Sequence, residues 1–150
     1  MGDGEPHELP PAQLAALVER IVTEEGPIHV EEAARRVAAC FGKDKAGARI
    51  LAATRTALEG AGLLSDGTFW YTQAQFEAPP VRDRSQETGT VVKAGSISML
   101  EMGAALRLAR EENAGGSDAE MIRCAARLLG FKRVGPELSE RLAAGLAQQV

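Results

Sequence analysis

Apolar residues recur at helical spacing in six stretches of the chain. Leu14, Leu17, Val18 and Ile21 fall at i, i+3, i+4 and i+7, which puts their side chains on one face of an α-helix. Ala34, Val37, Ala38 and Phe41 form a second such face, and Ile50, Thr54, Ala57, Leu58 and Ala61 a third. Three more follow: Met102, Ala105, Leu106 and Ala109; Ile122, Ala125, Ala126 and Leu129; and Leu138, Leu142 and Leu146. Pro10 and Pro11 suit the opening of the first helix, and Glu24-Glu25-Gly26-Pro27 ends it. The pattern predicts the next two helices over 31–41 and 46–61, with Gly42 as the stop of the earlier one. Ser98-Met99-Leu100-Glu101 and Ser117-Asp118-Ala119-Glu120 read as capping boxes that open the fourth and fifth helices. Ile28 to Val30 allows only a small strand. Leu63-Leu64-Ser65, Asp66-Gly67 and Thr68-Phe69-Trp70-Tyr71 predict a β-hairpin with a two-residue turn.

One offset relates the two halves. Cys40-Phe41-Gly42 to Gly47 and Ile50 recurs 88 positions later as Leu128-Leu129-Gly130 to Gly135 and Leu138. Each copy reads as a helix, a short basic turn and a second helix, which is the centre of a helix-turn-helix. All three apolar faces repeat at the same offset. The expected fold is therefore mainly α with a short β-hairpin, as tandem winged-helix-like (helix-turn-helix) units. Val150 aligns with Gly62, where a second hairpin would begin, so the second unit is expected to be abbreviated, either because its wing is absent or because the chain is cut there. The expected divisions are a disordered lead over 1–9, a winged-helix-like unit over 10–76, an extended linker over 77–95 and a second helix-turn-helix unit over 96–150. Within the linker, Val81 to Ser85 and Thr90-Val91-Val92 are candidate strands.

Composition adds limits. The 150 residues are 45% hydrophobic, 25% charged and only 4% aromatic, so a soluble globular chain with an aliphatic core is expected. No apolar run reaches membrane-span length, and the acidic, polar N-terminus is unlike a signal peptide. A cytoplasmic location is expected. Cys40 and Cys124 are too few for a disulfide framework, read as small residues near a core, and lack metal-ligand spacing.

The net charge is −4, unevenly spread. Residues 1–32 carry Asp3, Glu5, Glu8, Glu19, Glu24, Glu25, Glu31 and Glu32 against Arg20 alone. Residues 35–58 carry Arg35, Arg36, Lys43, Lys45, Arg49 and Arg55 against Asp44 alone. A local positive field can thus sit on an acidic protein.

Leu129-Gly130-Phe131-Lys132-Arg133-Val134-Gly135-Pro136 and Pro79-Pro80-Val81-Arg82-Asp83-Arg84-Ser85 resemble the domain of unknown function 3320 family. Gly26-Pro27-Ile28-His29, with Glu32 and Ala34-Arg35-Arg36-Val37, looks like that family too, so the resemblance spans roughly residues 20–150. Family members are commonly the C-terminal piece of large bacterial proteins that resemble superfamily-one helicases and carry an endonuclease-like domain. The resemblance implies a DNA-metabolism context and a helicase- or nuclease-like protein partner. It transfers no catalytic residue, and the phosphate-binding loop of a helicase motor does not occur in this sequence.

For catalysis, nothing converges. His7 lies in the lead, His29 takes the place that Ser117 has in the second copy, and the pairs Glu24-Glu25 and Glu111-Glu112 read as solvated helix ends. No enzyme activity, cofactor, metal or small-molecule substrate is expected. The sharper candidate is DNA. The third helix of a helix-turn-helix enters the major groove, and the candidate nucleic-acid-binding residues are Lys43, Lys45, Arg49 and Arg55, with Lys132 and Arg133 in the second turn. Trp70 and Tyr71 are candidates for added contacts or for core packing. Glu137 and Glu140 on the last helix repel phosphate. The alternative is a protein–protein docking module without nucleic-acid contact.

Overall fold

The computed structural model describes residues 5–148; expectations for 1–4 and for 149–150 fall outside the described residues. Seven α-helices and three short strands occur among them. No helix among them is long and apolar enough to cross a membrane. The chain divides into two compact units, 1–77 and 78–150.

In the first unit, α1 (Pro11–Glu25) is followed by β1 (Ile28–His29), α2 (Val30–Cys40) and α3 (Ala48–Gly60). The strands β2 (Leu64–Ser65) and β3 (Phe69–Tyr71) come next, then the single-turn helix α4 (Gln73–Glu77). The apolar faces read from the sequence meet in one core. Val18, Val22, Val37 and Leu58 are fully buried, and Ile50 and Trp70 nearly so. Burial of each such aliphatic side chain stabilises the fold by about 1.5–3 kcal/mol. The sheet is antiparallel in the order β1-β3-β2, with Ile28 opposite Trp70 and Leu64 opposite Tyr71.

The hairpin turn differs from the expected two-residue form. Ser65 pairs with Trp70, and only Gly67 takes a positive φ, of 102°. The Asp66 carboxylate instead accepts from the Thr68 and Phe69 amides at 2.9 and 2.8 Å. A side-chain acceptor replaces the backbone geometry that a two-residue turn requires.

The described part of the lead is ordered, contrary to expectation. Pro6–Glu8 forms a 3-10 turn with Pro6 buried, and this turn packs on α3. The helix α4 was not expected. Thr72 and Gln75 form a reciprocal capping box, with Thr72 N donating to Gln75 Oε1 at 2.9 Å and Gln75 N donating to Thr72 Oγ1 at 3.1 Å. Gln75 Nε2 then donates to the carbonyls of Val22 and Thr23, closing the C-terminal end of α1.

The second unit holds α5 (Met99–Glu112), α6 (Asp118–Leu128) and α7 (Pro136–Gln148). Its core centres on Ile97, Met102, Leu106, Leu129 and Leu142, all fully buried. The offset of 88 holds to the residue: Val30–Cys40 maps onto Asp118–Leu128, and Ala48–Gly60 onto Pro136–Gln148. Gly42 and Gly130 both take a positive φ, 74° and 93°. Each is followed by the same closing bond, Lys43 N to Ala38 O at 3.0 Å and Phe131 N to Ala126 O at 2.9 Å. Among the described residues no strand occurs in this unit.

The segment expected as an extended linker belongs to this second unit. Val81 packs on its core, and Arg84 N donates to Leu129 O at 3.0 Å. Neither candidate strand forms: 81–85 pairs with no strand, and Gly89–Val92 is a 3-10 turn. Val81 to Ser85 spends its hydrogen bonds on Glu101 and Leu129 rather than on a ladder.

Glu101 explains this. Ser98 Oγ accepts from Glu101 N at 3.1 Å, as in a capping box. The Glu101 carboxylate does not reach back, however. It is fully buried and accepts from both arms of the Arg84 guanidinium at 2.6 Å each and from Arg82 N at 2.8 Å. The Arg84 side chain is only 11% exposed. Such a bidentate, charge-assisted pair has fixed geometry. At the other expected box, Ser117 Oγ accepts from Glu120 N, and the Glu120 carboxylate returns only to that hydroxyl.

Candidate nucleic-acid interface

Gly42 ends α2, and the chain passes through Lys43 and Lys45 to Gly47, the extended residue before α3. No side chain caps α3 there. The turn and the first turn of α3 therefore carry Lys43, Lys45 and Arg49, with Arg55 further along the helix.

The six bases of residues 35–58 have divided fates. Arg36 Nε donates to both Glu25 oxygens at 2.8 and 3.1 Å. Arg35 is paired with the buried Glu32 and lies 3.9 Å from Glu31. Lys43 Nζ lies 2.9 Å from Glu5 Oε1. Acids of the lead and of the first two helices thus neutralise half of the cluster.

Lys45, Arg49 and Arg55 are exposed and have no ion-pair partner among the described residues. Arg49 and Arg55 are six residues apart, about 120° around the helix, so they border its open face rather than form one line. Arg49 shares a shallow cleft with Glu5 and Glu8. The sequence reading missed that acidic neighbour.

The hairpin aromatics face inward. Trp70 and Tyr71 are 6% and 8% exposed, and the Tyr71 ring stacks on Phe76 with centroids 6.1 Å apart. Burial, helped by the charge of Asp66, raises the Tyr71 pKa above the ordinary tyrosine value. They serve the core.

The remaining candidates for chemistry have local partners. His29 Nδ1 accepts from Glu31 N at 3.1 Å, as the cap of α2. Cys124 is buried with its thiol 3.4 Å from Glu112 Oε2, whereas Cys40 is exposed rather than near a core. Among the described residues no three His, Cys, Asp or Glu side chains gather as a metal site would need.

In the second unit Lys132 and Arg133 are exposed in the turn before α7. Glu137 and Glu140 are exposed on α7 itself. Arg123 and Arg127 on α6, which the sequence reading did not single out, are exposed beside Lys132 and line one cleft with it. Their i, i+4 spacing was the available signal.

No curated protein and no solved structure matches the chain. One family model does, over part of the chain. The strings 79–85 and 129–136 lie outside the matched segment, whereas Gly26 to His29, Glu32 and Ala34 to Val37 lie inside it. Residues 5–52, which hold the N-terminal turn, α1, β1, α2 and the start of α3, match the family described as Protein of unknown function (DUF3320), and it is this family that the chain is similar to.

Proposed function

We propose that this chain is a non-catalytic accessory domain that binds DNA and works in the cytoplasm with helicase- or nuclease-type machinery. Its two units are read as tandem winged-helix-like modules, the second with no wing among the described residues. In the first, three helices precede an antiparallel hairpin, and β1 is paired onto that hairpin's second strand. In this reading α3 is the helix that approaches the major groove, and the hairpin around Asp66 is the wing.

The observation that carries the reading is the charge left on α3 and on the turn before it. Lys45, Arg49 and Arg55 stand exposed and unpaired, whereas Arg35, Arg36 and Lys43 are engaged by carboxylates. Phosphate contacts of this kind supply affinity without sequence preference. Binding to duplex DNA is expected to be micromolar at low salt and to weaken as salt rises. The test is a fluorescence-anisotropy titration of the full chain and of a Lys45→Ala/Arg49→Ala/Arg55→Ala variant. The variant should bind more weakly, with its logarithmic salt slope shallower by about 0.9 for each phosphate it no longer neutralises.

A second reading is protein docking, favoured by one observation. An apolar cleft of about 570 Å³ lies between the N-terminal turn, α1 and α3, lined by Leu9, Ala15, Ala53 and Ala57 among others. Absence of duplex binding even at low salt leaves docking as the reading.

A further inference from the structure

We propose that the second unit carries a separate site for single-stranded nucleic acid, made by Arg123, Arg127 and Lys132 around Phe131. Arg123 and Arg127 are one turn apart on α6 and share a face. Together with Phe131 and Lys132 they line a cleft of about 440 Å³. A neighbouring cleft shares Arg127, Phe131 and Lys132, and its far rim is Asp83 and Ser85. The two clefts thus share two cationic side chains and the aromatic residue, and Arg123 lines the first of them.

The charge there is uncompensated. Arg123, Arg127 and Lys132 are exposed, and none has an ion-pair partner among the described residues. The first unit gives the contrast. At the offset of 88, Arg123 corresponds to Arg35, which Glu31 and Glu32 engage. The position of Glu31 is taken by Ala119. Glu120, in the position of Glu32, accepts a hydrogen bond from the Ser117 hydroxyl at 3.2 Å. Arg127 stands where the first unit has Ala39. Each helix thus carries two guanidiniums, but those of the first copy, Arg35 and Arg36, are engaged by Glu31, Glu32 and Glu25, whereas neither Arg123 nor Arg127 has an ion-pair partner among the described residues. Asp83 is the one carboxylate lining either cleft, and its Oδ1 is taken up by Ser85 N at 2.8 Å.

The ligand class follows from the side chains. Guanidinium forks match phosphate oxygens in geometry as well as charge. Phe131 is half-buried, packs on the second core and lines both clefts. A basic groove with an aromatic ring in it is the arrangement that holds single strands, because any unpaired base can stack. A duplex fits less well. Its bases are already stacked on one another and are not free to stack on Phe131. The site does not depend on the α3 reading.

The test uses the full chain and a labelled oligothymidylate of about 12 nucleotides, with an oligouridylate of equal length in parallel, at low and moderate salt. At least one should bind. Arg123→Ala/Arg127→Ala should weaken binding about tenfold or more, and its salt slope should be shallower by about 1.4. Phe131→Leu keeps an apolar side chain on the core but removes the ring, and should weaken binding about tenfold with the salt slope unchanged. Thermal melting of the exposed arginine variant should match the parent, so that pair decides the question even if Phe131→Leu melts early. The proposal is overturned if neither oligonucleotide binds at low salt, or if the arginine variant binds like the parent. Competition by polyglutamate as effective as by unlabelled oligothymidylate also overturns it, and assigns the cleft to acidic peptides. Arg49→Ala/Arg55→Ala should leave this binding intact, so loss of either site is told apart from loss of the other.

Discussion

Gly42 and Gly130 occupy equivalent places and carry different loads. Both have a positive φ, which costs a side-chain-bearing residue about 1–2 kcal/mol. Nothing lies within 4 Å of a Cβ at Gly42, whereas at Gly130 it would collide with the backbone nitrogens of Arg84 and Ser85. Chemical denaturation should show Gly42→Ala losing about 1 kcal/mol and Gly130→Ala about 3 kcal/mol or more, since overpacking adds to the strain. Equal losses would refute the close approach of 84–85 to this turn. Asp83 offers a pH-dependent test of the same region. Hydrogen bonds from the Ser85 hydroxyl and amide hold its pKa below the ordinary 3.8. A depressed carboxylate pKa means that the stabilisation is present above 3.8 and is lost as pH falls through the folded value. Denaturant midpoints followed downward from about pH 5 should therefore fall less steeply in Asp83→Asn than in the parent. The glycines were legible in the sequence as helix stops, and the repeat made Gly130 doubly so. What could not be read was Glu101. A Ser-x-x-Glu string looks the same whether the carboxylate caps its helix or is buried against an arginine 17 residues upstream.

At the scale of elements, the six apolar faces read from spacing alone all became helices, because 3.6-residue periodicity is a local property that packing then uses. Where periodicity was absent the outcome was mixed: the small strand at 28–29 and the hairpin strands formed, but the strands expected at 81–85 and 90–92 did not. The β-branched run Thr90-Val91-Val92 suggested a strand but lies in a 3-10 turn, having no neighbouring strand to pair with. The Thr72-Gln73-Ala74-Gln75 capping box was available as a signal for α4 and was overlooked, since five residues carry too few apolar positions for a period. The exposed bases of α3 were legible as charges. Acids on the first two helices were legible as possible neutralisers of the cluster, but the engagement of Lys43 was not, because Glu5 meets it across 38 residues of sequence. That ion pair makes a prediction for the N-terminal turn. Replacing Glu5 and Glu8 by glutamine should strengthen duplex binding at low salt severalfold, by removing carboxylates beside Lys43 and Arg49. Stability should change by no more than about 1 kcal/mol, since the ion pair is partly exposed. An unchanged duplex titration would count against α3 as the DNA-facing surface.

At the scale of the whole molecule, two cores replace the arrangement of a unit, a linker and a unit. Each core is built from its own helices, and residues 78–95 are spent on the second. Fragments 1–77 and 78–150 should each melt cooperatively in calorimetry, although domains of this size are only marginally stable. Glu101→Gln, which leaves Arg84 facing a neutral partner in a buried site, should cost the second fragment about 3–5 kcal/mol and leave the same substitution in the full chain without effect on the first unit's transition. A single shared transition that shifts as a whole would show that the units unfold together.

The Gln75 side chain has a practical corollary. By donating to the Val22 and Thr23 carbonyls at the tail of α1, it makes the short helix after the hairpin a clasp rather than a stub. A truncation after Tyr71, at the last residue of the sheet, strips away both those hydrogen bonds and the Phe76 ring lying over Tyr71. The minimal piece worth expressing on its own therefore runs past the sheet to Glu77, and shorter versions should aggregate for reasons unrelated to any ligand.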